Sequence, residues 1–290
     1  MAPGARRSFF RPLAIYIVSQ CDCYPSNSFN PQISLTHLTM RVLLFGASRN
    51  TGYFVAHRLL AKGHTCTFLL RKPEALESDF SLSGYISNGK AKLVRGDGLV
   101  QDDVQRVWNV ASSEGPVDLV FFGIGGEPSF SLTKGFVITP PDLTTRSMSV
   151  LLSVLQSSTT PATQPKLITI SSNGLDEHSH SLLPLPMKAF YGYFLRLPHE
   201  DKLGLEKNVQ QAAGWGDGQG WFDPKNIVIV RPAFLINGKC AADEKPDAYR
   251  TGDELNKAWG ISRADVGHFV VEKVIADWEK WAGKAWVVSY

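Results

Sequence analysis

The sequence has little of what marks secreted, membrane-spanning or nucleic-acid-binding proteins. Its four cysteines show no metal-ligand spacing and do not suggest a disulfide framework, which fits a reducing compartment. No apolar run reaches the ~20 residues that a membrane-spanning helix needs. The net charge is only +3, and no basic stripe alternates with aromatic residues, so composition gives no support for nucleic-acid binding. We therefore expect a cytoplasmic protein with no nucleic-acid or membrane partner.

The length suits one large α/β domain, but the first residues do not fit that domain. Residues 1–39 hold three arginines within their first 11 positions and a single acid. Three interpretations stay open: Met40 is the true start, the segment is a targeting sequence, or it is an extension, disordered or ordered. A genuine transit peptide would change the predicted location from the cytoplasm to the mitochondrion. In each case we expect residues 40–290 to form the folded domain.

The most informative segment joins a short apolar run to a helix through glycines. Residues 42–45 predict a buried strand, the chain turns at Gly46, and a helical pattern begins near Asn50. Such a turn leaves backbone N–H groups unpaired at the positive end of a helix dipole, which suits a pyrophosphate. The predicted contacts of a dinucleotide in this turn are Gly46, Ser48, Arg49, Asn50, Thr51 and Gly52.

The next strand ends in basic residues. Residues 66–70 predict a strand that runs into Arg71 and Lys72, with no acid at its end. An acid at this point binds the ribose 2′-hydroxyl of NAD, whereas a basic residue suits the 2′-phosphate of NADP. We therefore predict NADP(H) rather than NAD(H), with Arg71 on the phosphate. The alternative is that the two basic residues merely solvate a strand end.

Strands and helices alternate along the rest of the chain. Further strands are predicted at 91–95, 117–122, 166–170, 226–230 and 286–289, and helices at 53–61, 101–111, 143–156, 200–213 and 264–278. This alternation predicts an α/β fold with a doubly wound parallel sheet and helices on both faces. Loops that follow parallel strands converge on one crevice. Insertions near 178–198 and 238–260 predict a small C-terminal lobe that forms an apolar pocket for a small-molecule substrate.

Over about residues 40–290 the chain resembles the atypical, extended-type short-chain dehydrogenases/reductases. Within them it is most similar to the NmrA-like NAD(P)H-binding group, which includes the biliverdin IXβ/flavin reductases. The resemblance implies a Rossmann-type fold. It rests on Gly46-Ala-Ser-Arg-Asn-Thr-Gly52, Leu70-Arg71, Gly96-Asp97, Ser171-Ser172, Val230-Arg-Pro232 and Ile261-Ser-Arg-Ala-Asp-Val-Gly-His268.

The chain departs from the family in two places. Members usually have a third glycine in the first loop. Its position holds Arg49 in the Gly-x-x-Gly-x-x-Gly form of the motif and Asn50 in the Gly-x-x-x-Gly-x-Gly form. Asparagine is the easier replacement, because it tolerates left-handed backbone better than most residues. The Tyr-x-x-x-Lys pair of many members is absent, because Leu197 stands four residues after Tyr193. A strong acid catalyst is therefore not evident. This favours a flavin-like or quinone acceptor over a simple ketone, because solvent can supply the proton to such an acceptor.

Candidate roles follow from position in the implied fold. Ser172 is expected near the substrate oxygen, with Lys202 or Tyr193 assisting, and Ser171 is expected beside the cofactor. Asp97 would accept from the adenine amino group or cap the next helix, and Gly123 and Gly125 would allow close approach of the cofactor. Each role has an alternative. The Ser172 hydroxyl could only satisfy the backbone at a strand end, Lys202 could form a surface ion pair with Glu206, and Tyr193 could belong to an aromatic lid. His199 could act as an acid or only begin a helix.

Three functions stay open on the sequence. The leading one is an NADP(H)-dependent oxidoreductase that transfers a hydride between the nicotinamide and a small carbonyl, enone, quinone or flavin-like acceptor. The second is a non-catalytic NAD(P)H-binding redox sensor of the NmrA-like type. The third is a cofactor-dependent isomerase or dehydratase. A monomer or a homodimer is compatible with each of them.

Overall fold

The central sheet is built from short runs of apolar residues. The computed structural model describes residues 39–133, 135–216 and 218–290, so all but the last residue of the 1–39 extension lies outside it. Strands in the described residues are β1 (Arg41–Phe45), β2 (Thr65–Leu70), β3 (Ala91–Arg95), β4 (Leu119–Phe122), β5 (Ser129–Ser131), β6 (Gly135–Val137), β7 (Lys166–Ile170), β8 (Ile227–Pro232), β9 (Phe234–Ile236), β10 (Arg250–Gly252), β11 (Gly260–Ser262) and β12 (Lys284–Ser289).

Helices lie between most of these strands. They are α1 (Asn50–Ala61), α2 (Glu74–Glu77), α3 (Phe80–Ser87), α4 (Gln101–Ser112), α5 (Leu143–Ser158), α6 (Glu177–Ser181), α7 (Leu185–Phe194), α8 (Arg196–Ala213), α9 (Arg263–His268) and α10 (Trp278–Trp281). A π-helix, Phe269–Ile275, follows α9, and short 3₁₀ turns occupy Pro224–Asn226 and Ala241–Asp243. Among the described residues, no helix has the length and apolar character needed to cross a membrane.

The strand order confirms the Rossmann-type fold predicted from the sequence. It is β10-β12-β8-β7-β4-β1-β2-β3, and every neighbouring pair is parallel except β10 with β12. The order reverses between β1 and β4, where the chain returns from β3 to the other side of β1. In open α/β sheets this switch point, at the carboxyl ends of the strands, is where ligands bind.

The two faces of the sheet carry separate apolar cores. Val42 and Leu44 of β1 face a cluster that includes residues of α1, α9 and the π-helix, while Leu43 and Phe45 face residues of α4, α5 and α8. All four side chains are at most 1 % exposed, as expected of a strand buried on both faces. This two-sided packing holds β1, and the turn that follows it, rigidly in the centre of the molecule.

Three regions differ from the sequence-based expectation. The helix predicted over 264–278 is divided into α9, the π-helix and α10. The loop after β4 contains the antiparallel hairpin of β5 and β6. The first predicted insertion contains α6 and α7, while the second contains β10 and leads to β11, which pairs with β9 in a small parallel sheet.

Candidate functional site

The turn between β1 and α1 is too tight for any residue but glycine at two positions. Gly46 has a φ of 71°, and a Cβ atom on it would lie 2.5 Å from the carbonyl group of Gly123. A Cβ atom on Gly52 would lie 2.3 Å from the carbonyl oxygen of Gly46. Both glycines therefore let the start of α1 approach the ends of β1 and β4, as the predicted pyrophosphate turn requires.

The first turn of α1 leaves hydrogen-bonding groups available. Asn50 has a φ of 56°, the left-handed conformation that the sequence predicted it would tolerate. The N-cap residue Arg49 makes no side-chain cap, so the first amides have no side-chain acceptor. The Thr51 hydroxyl is buried and has no hydrogen-bond partner. An anion with several oxygens, such as a pyrophosphate, fits this set of donors.

A cleft of about 410 Å³ runs along this turn. Its polar lining comes from Ser48, Arg49 and Asn50 on one side and from Asn237, Gly238 and Arg263 on the other. Arg49 is exposed and forms an ion pair with Glu127. The guanidinium of Arg263 donates to the Asn237 side chain at 2.8 Å. The C-terminal part of the chain therefore adds a second arginine, Arg263, to the cleft beside α1. The sequence analysis gave Arg263 no role.

Basic residues gather at the ends of β2 and β3. Arg71 and Lys72 are exposed, and the register of the two strands places Leu70 opposite Arg95. Arg95 donates to the Arg71 carbonyl oxygen at 3.4 Å and pairs with Glu74. Arg95 was not among the predicted residues, because its proximity to Arg71 arises only from strand pairing.

Asp97 shapes the loop after β3. Its carboxylate accepts from the Leu99 N–H at 2.9 Å, and its own N–H donates to Asp103 at 2.8 Å. The N-cap residue of α4 is Val100, so capping that helix is not the role of the Asp97 side chain. Asp97 thus stands half-buried at the carboxyl end of β3, where the adenine contact was predicted.

Free space lies after the end of β4, and a hydroxyl without a hydrogen-bond partner lies after the end of β7. A Cβ atom on Gly123 would lie 2.7 Å from the Phe121 ring, whereas Gly125 has nothing within 4 Å of that position. The backbone N–H of Ser171 donates to the Val230 carbonyl at 2.8 Å. Its hydroxyl is buried without a partner. Space beside Gly125 and an orphaned hydroxyl at Ser171 are compatible with a cofactor at this edge.

Ser172 meets an imidazole. Its Oγ lies 3.2 Å from Nε2 of His199 and 3.3 Å from the Asn173 carbonyl oxygen. The Tyr191 ring packs edge-on against the imidazole, with centroids 5.0 Å apart. Burial, with a smaller contribution from His180, lowers the pKa of His199 to about 4, so the ring is neutral at pH 7.

Lys202 is turned onto backbone rather than onto an acid. Its Nζ donates to the carbonyl oxygens of Ile170 at 2.8 Å and Ile124 at 3.2 Å, at the ends of β7 and β4. Desolvation lowers the pKa of Lys202 to about 8. Glu206 instead forms a two-pronged ion pair with Arg231, so the alternative of a surface Lys202–Glu206 pair does not describe this structure.

Tyr193 is engaged elsewhere. It is half exposed, and its hydroxyl donates to the Leu132 carbonyl oxygen at 2.6 Å, on the hairpin of β5 and β6. Tyr191, two residues earlier on α7, is the tyrosine that contacts His199. The catalytic role predicted for Tyr193 stays a prediction, and its observed bond joins α7 to the hairpin.

A chain of aromatic rings leads from this site to the surface. Neighbouring ring centroids are 5.1–6.3 Å apart among Phe130, Phe136, Phe190, Tyr191, Phe194 and Phe234. We call this set the aromatic wall. Phe130 and Phe234 are 56 % and 38 % exposed, so the wall includes apolar surface that is open to solvent.

The structure therefore brings most of the predicted residues to one edge of the sheet. Ser171, Ser172 and Lys202 meet at the ends of β4 and β7, and the contact of Gly46 with Gly123 joins them to the glycine turn. Sequence reasoning gave His199 only an ambiguous role. The available indication was its position three residues before Lys202, which places both on one face of α8.

Comparisons with known proteins identify the family and the fold. A family model described as NAD(P)H-binding matches residues 46–277. Reductase pytE of Aspergillus terreus is 27 % identical over 261 residues, which cover 86 % of this chain and 97 % of that protein.

Solved structures share the fold. The anaerobillin reductase ChuY of Escherichia coli O157:H7 superimposes with a TM-score of 0.57 at 16 % identity, covering 86 % of this chain and 96 % of ChuY. The yeast methylglyoxal/isovaleraldehyde reductase Gre2, in complex with NADPH, gives 0.61 at 12 % identity, covering 86 % of this chain and 78 % of Gre2. The family match extends over most of the described sheet and its glycine turn, and the chain therefore belongs to the NAD(P)H-binding family.

Proposed function

We propose that this chain is an NADP(H)-dependent oxidoreductase acting on a small carbonyl, enone, quinone or flavin-like acceptor. The observation that carries the proposal is the meeting of Ser172, His199 and Lys202 at the carboxyl ends of β4 and β7, beside the glycine turn. A bound nicotinamide supplies or accepts the hydride, and the chain binds, orients and protonates around it.

The cofactor half of the proposal uses groups at the carboxyl ends of the strands, of which the Thr51 and Ser171 hydroxyls are otherwise unsatisfied. The open amides of α1, with Thr51, would hold the pyrophosphate, and Asp97 would hold the adenine. Arg71, supported by the neighbouring Arg95, would bind a 2′-phosphate, which favours NADP(H) over NAD(H). The orphaned hydroxyl of Ser171 and the space beside Gly125 would receive the ribose and ring at the other end.

The acceptor half needs an oxygen-binding group and a positive charge. Ser172 would hydrogen-bond the oxygen of the acceptor. The ammonium of Lys202, held by two carbonyl oxygens in a poorly solvated position, would stabilise negative charge that develops there. The aromatic wall adds an apolar face, which favours flat, conjugated acceptors over small polar ones.

The test combines cofactor binding with turnover. Calorimetry should show NADPH binding to the purified protein, and a panel of aldehydes, quinones and flavins should contain acceptors that oxidise it. Ser172→Ala should lower kcat for carbonyl acceptors and leave the NADPH Kd unchanged. Ser113→Ala is the matched control, because that exposed hydroxyl bonds only the Val110 carbonyl.

Two outcomes would contradict the proposal. Absence of heat with every pyridine nucleotide would remove the cofactor assignment. Tight binding without turnover of any acceptor would instead favour a redox sensor, whose affinity should then differ between NADPH and NADP⁺.

A further inference from the structure

The helix that carries Lys202 also carries an imidazole aimed at Ser172. His199 lies in the first turn of α8, one turn before Lys202, so both side chains project from one face of the helix towards the ends of β4 and β7. The Nε2–Oγ distance of 3.2 Å is within hydrogen-bonding range. Proton transfer between the two side chains therefore needs no rearrangement of the backbone.

We propose that His199 is the proton-relay partner of Ser172, so that a serine–histidine pair takes the part that the missing Tyr-x-x-x-Lys pair plays in related reductases. This inference rests on the proposed function and assigns it a positioning residue. His199 acts through Ser172 and does not itself touch the acceptor.

The ring is held in place from several sides. Tyr191 on α7 packs edge-on against the ring. A hydrogen bond with the Gly174 backbone also holds it, and this bond acts to raise the pKa of His199 against the larger effect of burial. The titratable groups facing it are His180 from α6, Tyr191 from α7 and, one turn away on its own helix, Lys202. His180 acts on the pKa of His199 in the same direction as burial. A neutral imidazole in this position accepts the Ser172 hydrogen and leaves the serine lone pairs for a substrate hydroxyl.

The proton balance follows from this arrangement. When an alcohol is oxidised, its hydroxyl proton passes to the Ser172 oxygen as the serine proton passes to Nε2, while a bound oxidised nicotinamide would accept the hydride that leaves the carbon. The imidazolium then releases its proton to water. When a carbonyl is reduced, each transfer reverses: Ser172 protonates the new alkoxide, and the imidazole takes a proton from water and passes one to the serine oxygen. A quinone or flavin can take its proton from solvent and does not need the relay.

The experiment compares acceptors that need a positioned proton with acceptors that do not. His199→Gln should lower kcat for aldehyde reduction by about 100-fold, the lower range for general acid–base catalysis. Quinone reduction and the NADPH Kd should change by at most a few-fold. His178→Gln is the matched control, because that exposed imidazole pairs with Glu254, and it should leave aldehyde reduction close to that of the unaltered protein.

A pH profile separates a relay from a structural role. Alcohol oxidation by the unaltered protein should fall as the pH drops towards about 4, because protonated His199 no longer accepts. His199→Gln should lack that limb, and the double change with Ser172→Ala should cost no more than either single change.

Several results would overturn the relay. Equal losses for aldehydes and quinones, additive losses in the double variant, or undiminished aldehyde reduction by His199→Gln would each do so. Should His199→Gln fold poorly, the His199→Asn variant and the pH profile of the unaltered protein test the relay in its place. Failure of the unaltered protein to bind NADPH would refute the proposed function instead, and the two failures are thus distinguishable.

Discussion

Replacing Glu206 by glutamine should destabilise the fold far more than a single lost surface charge does. The Glu206 side chain is 1 % exposed and accepts from Arg231 at 2.9 Å through Nε and at 2.5 Å through Nη2. Glutamine keeps the shape but offers one oxygen and no charge. The guanidinium, whose side chain is 18 % exposed, would then be left largely buried without its main counterion.

Removal of one partner of a buried ion pair costs about 3–5 kcal/mol. The nearest other acid, Asp176, stands 3.8 Å from Nη1, is exposed, and offsets only part of that loss. For a domain of this size 1 kcal/mol corresponds to about 2–4 °C in Tm, so we expect a decrease on the order of 10 °C. Urea titration and thermal circular dichroism measure both quantities.

The same helix offers a matched control. Glu200 pairs with Arg196 at 3.2 Å, but both side chains are more than half exposed. Glu200→Gln should therefore cost at most about 0.5 kcal/mol. Replacing both members of the buried pair by leucine and methionine should recover much of the loss, because no charge is then stranded. A Glu206→Gln variant as stable as Glu200→Gln would show that the reasoning about burial is wrong.

Three further predictions concern the site. Arg71→Ala should weaken NADPH binding by ~1.5–3 kcal/mol, the range for charge-assisted hydrogen bonds, and barely affect NADH; equal losses in calorimetry would refute the phosphate assignment. Gly52→Ala should lower both Tm and NADPH affinity, since its Cβ would lie 2.3 Å from the Gly46 oxygen, whereas Gly84→Ala, with nothing within 4 Å, should do neither. The folded pKa of His199, about 4, lies below its ordinary 6.5, so the unfolded chain binds more protons between these values. Stability should fall by up to about 3 kcal/mol as the pH is lowered through that window, and urea titrations of His199→Gln should lack this contribution.

Local sequence was enough to predict the centre of the molecule. The turn from β1 to α1 depends on glycines at 46 and 52 and on an asparagine that accepts left-handed backbone, and all three requirements act within a few residues. The inner strands are apolar runs of four to six residues. Their side chains have no favourable place except between two layers of helices.

Short segments with mixed composition were not predictable in the same way. The hairpin of β5 and β6 was not predicted, because its strands are only three residues long and show no periodic pattern. The helix α7 was taken as part of an insertion. Its aromatic residues are placed by contacts with the hairpin, β9 and α8, which lie up to 64 residues away in the chain.

The sequence by itself therefore determined the inner strands, their parallel arrangement in an α/β sheet and the glycine turn, because periodicity and backbone conformation are local properties. Only the tertiary structure decided which side chains become partners. It paired Glu206 with Arg231 rather than with Lys202, turned Lys202 onto two strand-end carbonyls, and set His199 rather than Tyr193 against Ser172. These choices depend on how α8 packs across β4, β7 and β8, where desolvation and distance between remote residues select the contacts.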